Sequence, residues 1–131
     1  MPALSFAFTK IVVGDLDAAE RYYGATLGLT RIAYVEFGEG TNALQEVILA
    51  VPDSPTNWAR LNLIHFPNRP APAPGETVIG FMVDDVEKTA VAMTQAGGRI
   101  TVPVRELTDY RMKLAYVADP EGQIVEILQT L

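Results

Sequence analysis

Val13-Gly14-Asp15-Leu16-Asp17-Ala18-Ala19 and Val83-Asp84-Asp85-Val86-Glu87-Lys88-Thr89 are two copies of one phrase. In each, an apolar run enters an acidic turn and an amphipathic helix follows. The helix ends at glycine, in Leu27-Gly28-Leu29 for the first copy and Gly97-Gly98-Arg99 for the second. Val13 matches Val83, Asp15 matches Asp85 and Gly28 matches Gly98 at one constant shift, so the chain is two copies of one module.

Outward from the first phrase, Leu4 to Val13 alternate as a strand. Asp15 is placed to cap the next helix by accepting from the free N–H groups of its first turn. Leu16, Ala19, Tyr23 and Leu27 then fall on one helical stripe. Three β-rich runs follow, Thr30 to Phe37, Gln45 to Val51 and Ala59 to Phe66, separated by the turn-forming stretches Gly38-Glu39-Gly40-Thr41-Asn42 and Pro52-Asp53-Ser54-Pro55. Module one therefore reads βαβββ over about residues 4–66. A stiff, extended connector rich in proline, Pro67 to Gly75, marks the boundary, which we set at 67–76. Module two, about 77–130, repeats the order: a strand at Thr77 to Val83, a helix from Val86 to Ala96, then strands at Arg99 to Val104, Arg111 to Ala118 and Gln123 to Leu128. Its last two strands are joined by Asp119-Pro120-Glu121-Gly122, with proline where φ is preset and glycine where φ can be positive.

At 131 residues and 49% hydrophobic, the chain can bury a core as one domain without covalent staples. It has no cysteine, which removes disulfides, thiolate nucleophiles and zinc–sulfur sites together. A net charge of −6 without a Lys/Arg cluster argues against nucleic acid as a partner, because that binding draws on neutralised phosphates. No apolar run is long enough to span a bilayer, and Met1-Pro2-Ala3-Leu4-Ser5 lacks the charged n-region and apolar h-region expected of a secretory leader. These features lead us to expect a soluble, unprocessed, cytoplasmic protein with no membrane partner.

Two βαβββ units with Val-Gly-Asp-Leu after strand one, Leu-Gly-Leu after helix one and Asp-Pro-Glu-Gly before a last strand ending Val-Glu-Ile resemble the vicinal oxygen chelate superfamily. That group includes glyoxalase I, extradiol dioxygenases, fosfomycin resistance enzymes and bleomycin resistance proteins. The resemblance implies an α+β fold in which the tandem modules form an incompletely closed eight-stranded barrel around a cavity. In many members the modules that face one cavity come from different subunits, and a homodimer is the expected assembly. Family enzymes carry a divalent metal on the first strand of each module and the last. Those positions correspond here to Phe8, Asn62, Val78 and Glu126. Only Glu126 is a strong ligand, and one carboxylate with one amide is too few donors for a catalytic ion. The inherited metal site therefore reads as abolished, with no cofactor expected. The basic residue that glyoxalase I uses for glutathione corresponds to Val12, so lactoylglutathione chemistry is disfavoured as well.

Among single residues, Glu126 lies between Ile124 and Leu128 on an inward stripe, where it can act as acid, base or hydrogen-bond anchor. Lys10, two positions after Phe8 on the same strand face, points toward Glu126 or an anionic ligand, or else snorkels. His65, the single histidine, falls on the face opposite Asn62 if its strand is regular and is expected to bond to backbone or water. Of the aromatic residues, which include Tyr34, Phe37, Trp58 and Phe66, Phe6 and Phe8 share the inward face of strand one. Tyr110, Arg111 and Tyr116 flank the strand before the last turn. With Lys10, Asn62 and Val78 they make a candidate pocket for an apolar or aromatic molecule.

Three readings remain open at this point. The first is a metal-independent protein that sequesters a small organic molecule, as bleomycin resistance proteins do. The second is a cofactorless isomerase, cyclase or lyase using Glu126, with Lys10, Tyr116 or Asn62 polarising an oxygen. The third is a metalloenzyme with displaced ligands Glu46, His65 and Glu126.

Overall fold

The computed structural model describes residues 2–54, 59–74 and 77–131. The chain divides into two compact units, Met1–Pro72 and Ala73–Leu131. The first contains β1 (Phe8–Val12), α1 (Leu16–Leu27), β2 (Thr30–Phe37), a 3-10 turn (Gly40–Asn42), β3 (Leu44–Ala50) and β4 (Arg60–His65). The second contains β5 (Val78–Met82), α2 (Val86–Gln95), β6 (Arg99–Leu107), a 3-10 turn (Thr108–Tyr110), β7 (Met112–Ala118) and β8 (Ile124–Thr130). Each unit is a four-stranded sheet with one helix, in the orders β1-β4-β3-β2 and β5-β8-β7-β6. Within each unit the first strand pairs parallel to the last, and the other pairings are antiparallel.

The repeated phrase does the same work twice. Asp15 and Asp85 are both extended, and each carboxylate accepts from the N–H three residues on, at 3.0 Å from Ala18 and 3.0 Å from Lys88. Each satisfies a donor that the first helical turn leaves without an intrahelical partner. Gly28 ends α1 at φ 70, and Leu29 N–H donates back to Tyr23 at 3.3 Å. At the end of α2 it is Gly97, not Gly98, that takes positive φ (102), and Gly98 N–H donates to Met93 at 2.8 Å. The left-handed glycine slips by one residue there, because α2 ends at Gln95, two residues before Gly97, the repeat counterpart of Leu27. In the last turn Gly122 N–H donates to Asp119 O at 2.8 Å, while the buried Asp119 carboxylate accepts from Glu121 and Gln123 N–H at 2.9 Å each.

Strand alternation gives every sheet two faces. One face of the first sheet carries Ile11, Val47, Leu49, Leu61 and Leu63, all buried, with α1 packed on β3 and β4 through Leu16, Ala19, Tyr22 and Tyr23. Tyr22 takes the place expected for Leu27, which is only partly buried at the last helical turn. In the second sheet, α2 packs on β7 and β8 through Val86, Ala90 and Met93, on the face that carries the buried Ile79, Ala115, Val117, Val125 and Ile127. Tyr23 and Met93, matched by the repeat, are both fully buried. Burial of a side chain of this size stabilises by about 1.5–3 kcal/mol, so the two helices hold their sheets from equivalent positions. The faces turned away from the helices carry the residues of functional interest.

One strand boundary is corrected. β1 begins at Phe8, and Leu4 and Phe6 lie before it, 101% and 75% exposed. β1 pairs with β4 residue for residue from Phe8 to Val12, and the ladder ends at the Phe8–Arg60 pair, with Ala59 already outside the strand. Alternation in sequence cannot make a strand where the ladder has ended. Trp58 and Gly75 lie outside the described residues.

Candidate functional site

Phe8, Lys10 and Val12 share the helix-free face of β1, since Ile11 and Val13 are buried on the other side. The ladders extend that face across the sheet: Lys10 is opposite Asn62, Asn62 is opposite Ile48, and Glu46 is opposite Ile64 and Val35. Its centre is polar. Lys10 Nζ lies 3.0 Å from Glu46 Oε2, and Asn62 Nδ2 donates to the same oxygen at 2.9 Å. Glu46 and Asn62 are buried, at 7% and 4% exposure, and the Lys10 ammonium also lies 5.1 Å from the Phe8 ring centre. Lys10 was expected to snorkel to water or to meet Glu126 or an anionic ligand; its partner is Glu46, which reading the sequence missed in this role. A signal was present in Gln45-Glu46-Val47, because an acid inside an apolar strand that packs on one face must find a partner on the other.

Asn62 and Glu126 occupy equivalent places. Asn62 is opposite Lys10 on the first strand of its unit, and Glu126 is opposite Gly80, the repeat counterpart of Lys10. On its other side Glu126 is opposite Tyr116, which is in turn opposite Val102. A Cβ built on Gly80 would meet only ordinary contacts, Leu128 Cδ1 at 3.7 Å and Glu126 O at 3.9 Å, so glycine here leaves room beside Glu126 rather than avoiding a clash. Val78 stands on the same face, 47% exposed, as is Phe8 at the matching position of β1. Tyr110 is 76% exposed in its 3-10 turn, and Arg111 follows it in a left-handed conformation (φ 55).

His65 lies on the helix side of β4, where its Nδ1–H donates to Val13 O at 2.9 Å. Glu46 and His65 cannot share an ion in this arrangement. Their strands put Glu46 opposite Ile64 and Gln45 opposite His65, so the two side chains leave opposite faces of the sheet. That overturns the displaced ligand set of Glu46, His65 and Glu126. Among the described residues no group of three His, Asp or Glu side chains is arranged to hold a metal ion. The donor set at the four inherited positions does not fit one either: Phe8 and Val78 have no lone pair and Asn62 offers only a neutral amide oxygen, which leaves Glu126 as the one charged donor.

The other charged contacts lie on the helix side. Arg31 makes a two-pronged contact with Glu20 of α1, at 2.8 and 2.6 Å, and its hydrogen bond holds the Glu20 carboxyl below its ordinary range. Lys113 does the same to Glu87 of α2 at 3.0 Å. The Tyr34 hydroxyl donates to Glu36 at 2.7 Å, which raises the tyrosine's pKa. These pairs tie helix to sheet or decorate an edge, and none adjoins the polar centre.

No described helix is long and apolar enough to cross a membrane. Among known proteins, the chain is 26% identical to a probable lactoylglutathione lyase of Vibrio parahaemolyticus, over 92% of this chain and 87% of that protein. It is also 26% identical to a lactoylglutathione lyase of Haemophilus influenzae, over 92% and 89%. Its fold is similar to that of a glyoxalase family protein from Bacillus cereus, with a TM-score of 0.85 and 21% identity over 100% of this chain and 97% of that one. A glyoxalase/bleomycin resistance protein/dioxygenase domain from Frankia gives a TM-score of 0.75 at 16% identity, over 99% and 100%. Residues 5–127 match the model of the Glyoxalase/Bleomycin resistance protein/Dioxygenase superfamily, and the chain, with its two tandem βαβββ units, belongs to that family.

Proposed function

We propose that this protein binds a small, largely apolar or aromatic organic molecule on the helix-free faces of its sheets, without a metal ion, as sequestering members of the family do. One observation carries the reading: Phe8 and Val78, matched by the repeat and each 47% exposed on those faces, stand where family enzymes need metal ligands. Side chains without a lone pair supply contact area in place of coordination. The relatives named as lactoylglutathione lyases lend that activity little support here, because Val12 stands where a basic glutathione contact is needed. We also propose a homodimer, which sedimentation at micromolar concentration tests: a monomer refutes it.

A second reading rests on Glu126. Opposite Tyr116 and beside the bare Gly80, it has no hydrogen-bond or ion-pair partner among the described residues and is open to a substrate proton. In that case the protein is a cofactorless isomerase, cyclase or lyase with Glu126 as acid/base. One experiment separates the two. A panel of aromatic compounds is screened by thermal shift, and the best binder is titrated into the parent, Phe8→Ala and Glu126→Gln proteins with its chemical fate followed. Sequestration predicts weaker binding in the variant whose sheet face holds the molecule, and an unchanged compound. Catalysis predicts turnover that Glu126→Gln abolishes while binding persists. Unaltered affinity in both variants would show that the molecule sits elsewhere.

A further inference from the structure

The polar centre of the first sheet holds an unpaired atom. Asn62 Oδ1 is buried and has no hydrogen-bond partner among the described residues. Its orientation is fixed, because turning the amide over would set Oδ1 against the Glu46 carboxylate, acceptor against acceptor. A leucine would fill the same space at no such cost, since a buried carbonyl without a donor is destabilising. The neighbouring Lys10 retains donors beyond its bond to Glu46, because an ammonium carries three N–H groups. Its side chain is 39% exposed against 10% for Glu46, so Lys10 is the member of the triad that solvent reaches.

Charge narrows what fits. A cation would have to displace the Lys10 ammonium from Glu46, and an anion would meet the Glu46 carboxylate and the Asn62 carbonyl. A neutral group with a donor next to an acceptor satisfies both open valences. Apolar walls surround them, with Phe8 and Val12 beside Lys10, and Ile48 and Ile64 beside Asn62 and Glu46 on the same face.

We propose that Lys10, Glu46 and Asn62 form an anchoring site for a neutral carboxamide or α-hydroxy ketone borne on an apolar body. The ligand N–H or O–H bonds to Asn62 Oδ1, and its carbonyl oxygen accepts from Lys10 Nζ. Glu46 is the positioning residue that orients both. The inference rests on the reading that this face receives a small organic molecule, and it adds the group by which that molecule is recognised.

The test uses the full-length, isotope-labelled protein and three matched probes: benzamide, which has both donor and acceptor; acetophenone, which has only the acceptor; and ethylbenzene, which has neither. Affinities are read from NMR titration of the backbone amides of all the proteins, with the Asn62 side-chain amide resonances as a further local reporter where Asn62 is present. Benzamide should bind about tenfold more tightly than acetophenone, the usual effect of leaving one buried partner unpaired. Asn62→Leu should erase that ratio and leave acetophenone unchanged, and Lys10→Met should bring acetophenone down to the affinity of ethylbenzene. Should Asn62→Leu fail to fold, Lys10→Met decides, and an acetophenone preference over ethylbenzene that survives it overturns the site. Equal affinity of benzamide and acetophenone for the parent, or a ratio that survives Asn62→Leu, also overturns the site while the apolar-binding reading stands. If none of the three binds, that reading fails and the anchoring site falls with it.

Discussion

Replacing Glu46 with leucine is the most revealing perturbation of stability, because the carboxylate holds two groups of different exposure. Asn62, 4% exposed, would lose the acceptor now 2.9 Å from its Nδ2, and with Oδ1 already unpaired the whole amide would be buried without a partner. That costs about 1–3 kcal/mol. Lys10, with a side chain 39% exposed, turns to water instead, so its lost ion pair amounts to at most about 1 kcal/mol after solvent screening. Glu46→Leu should therefore lower unfolding free energy by about 2 kcal/mol. Glu46→Leu combined with Asn62→Leu removes every orphaned atom at once, so the double variant should be more stable than Glu46→Leu alone, with a coupling energy of at least about 1 kcal/mol. The assay is urea denaturation of the four proteins of the cycle, with the midpoints compared at common slope. A double variant whose loss equals the sum of the single losses would refute the reasoning, since it would mean that Glu46 and Asn62 do not satisfy each other.

Asp15→Ala and Asp85→Ala should each cost about 1 kcal/mol by the same denaturation, because the two caps have the same geometry and the same 3.0 Å bond. Gly38→Ala should cost more than Gly28→Ala: both are at positive φ, but a Cβ at Gly38 would also come within 2.6 Å of Asn42 O, which is backbone and cannot move aside cheaply. The Glu20 carboxyl is held below its ordinary value of 4.5 by the Arg31 hydrogen bond, so the stabilisation is present above that value and is lost as pH falls through the folded-state pKa. Thermal melts from pH 6 downward should show a steeper acid loss in the parent than in Arg31→Gln, and identical profiles would contradict the assignment.

The fold was legible because the repeat is a physical device rather than a statistical one. Asp15 and Asp85 announce helix starts through their capping chemistry, and Asp119-Pro120-Glu121-Gly122 announces a turn that the structure closes at Gly122 with φ 101. Where the reading failed, pairing partners decided. Phe6 looked like strand but lies beyond the end of β4, and Gly97 rather than Gly98 carries the left-handed turn because α2 is shorter than α1. The helix-free faces could be assigned from alternation, which put Asn62 and His65 on opposite sides correctly. The Lys10–Glu46–Asn62 centre could not be, because its members come from β1, β3 and β4, and only the register of the two ladders places them together.

The account turns on whether the family's metal chemistry has been given up, and a metal titration addresses that most directly. The purified protein is assayed for transition metals and then melted with and without excess nickel, zinc or iron, in parallel with Glu126→Gln. A specifically bound ion must stabilise the native state by mass action, so a chain with Phe8 and Val78 at two ligand positions should carry no stoichiometric metal and should melt at the same temperature throughout. One tightly bound metal per chain, or a metal-dependent rise in melting temperature that Glu126→Gln abolishes, would contradict the account.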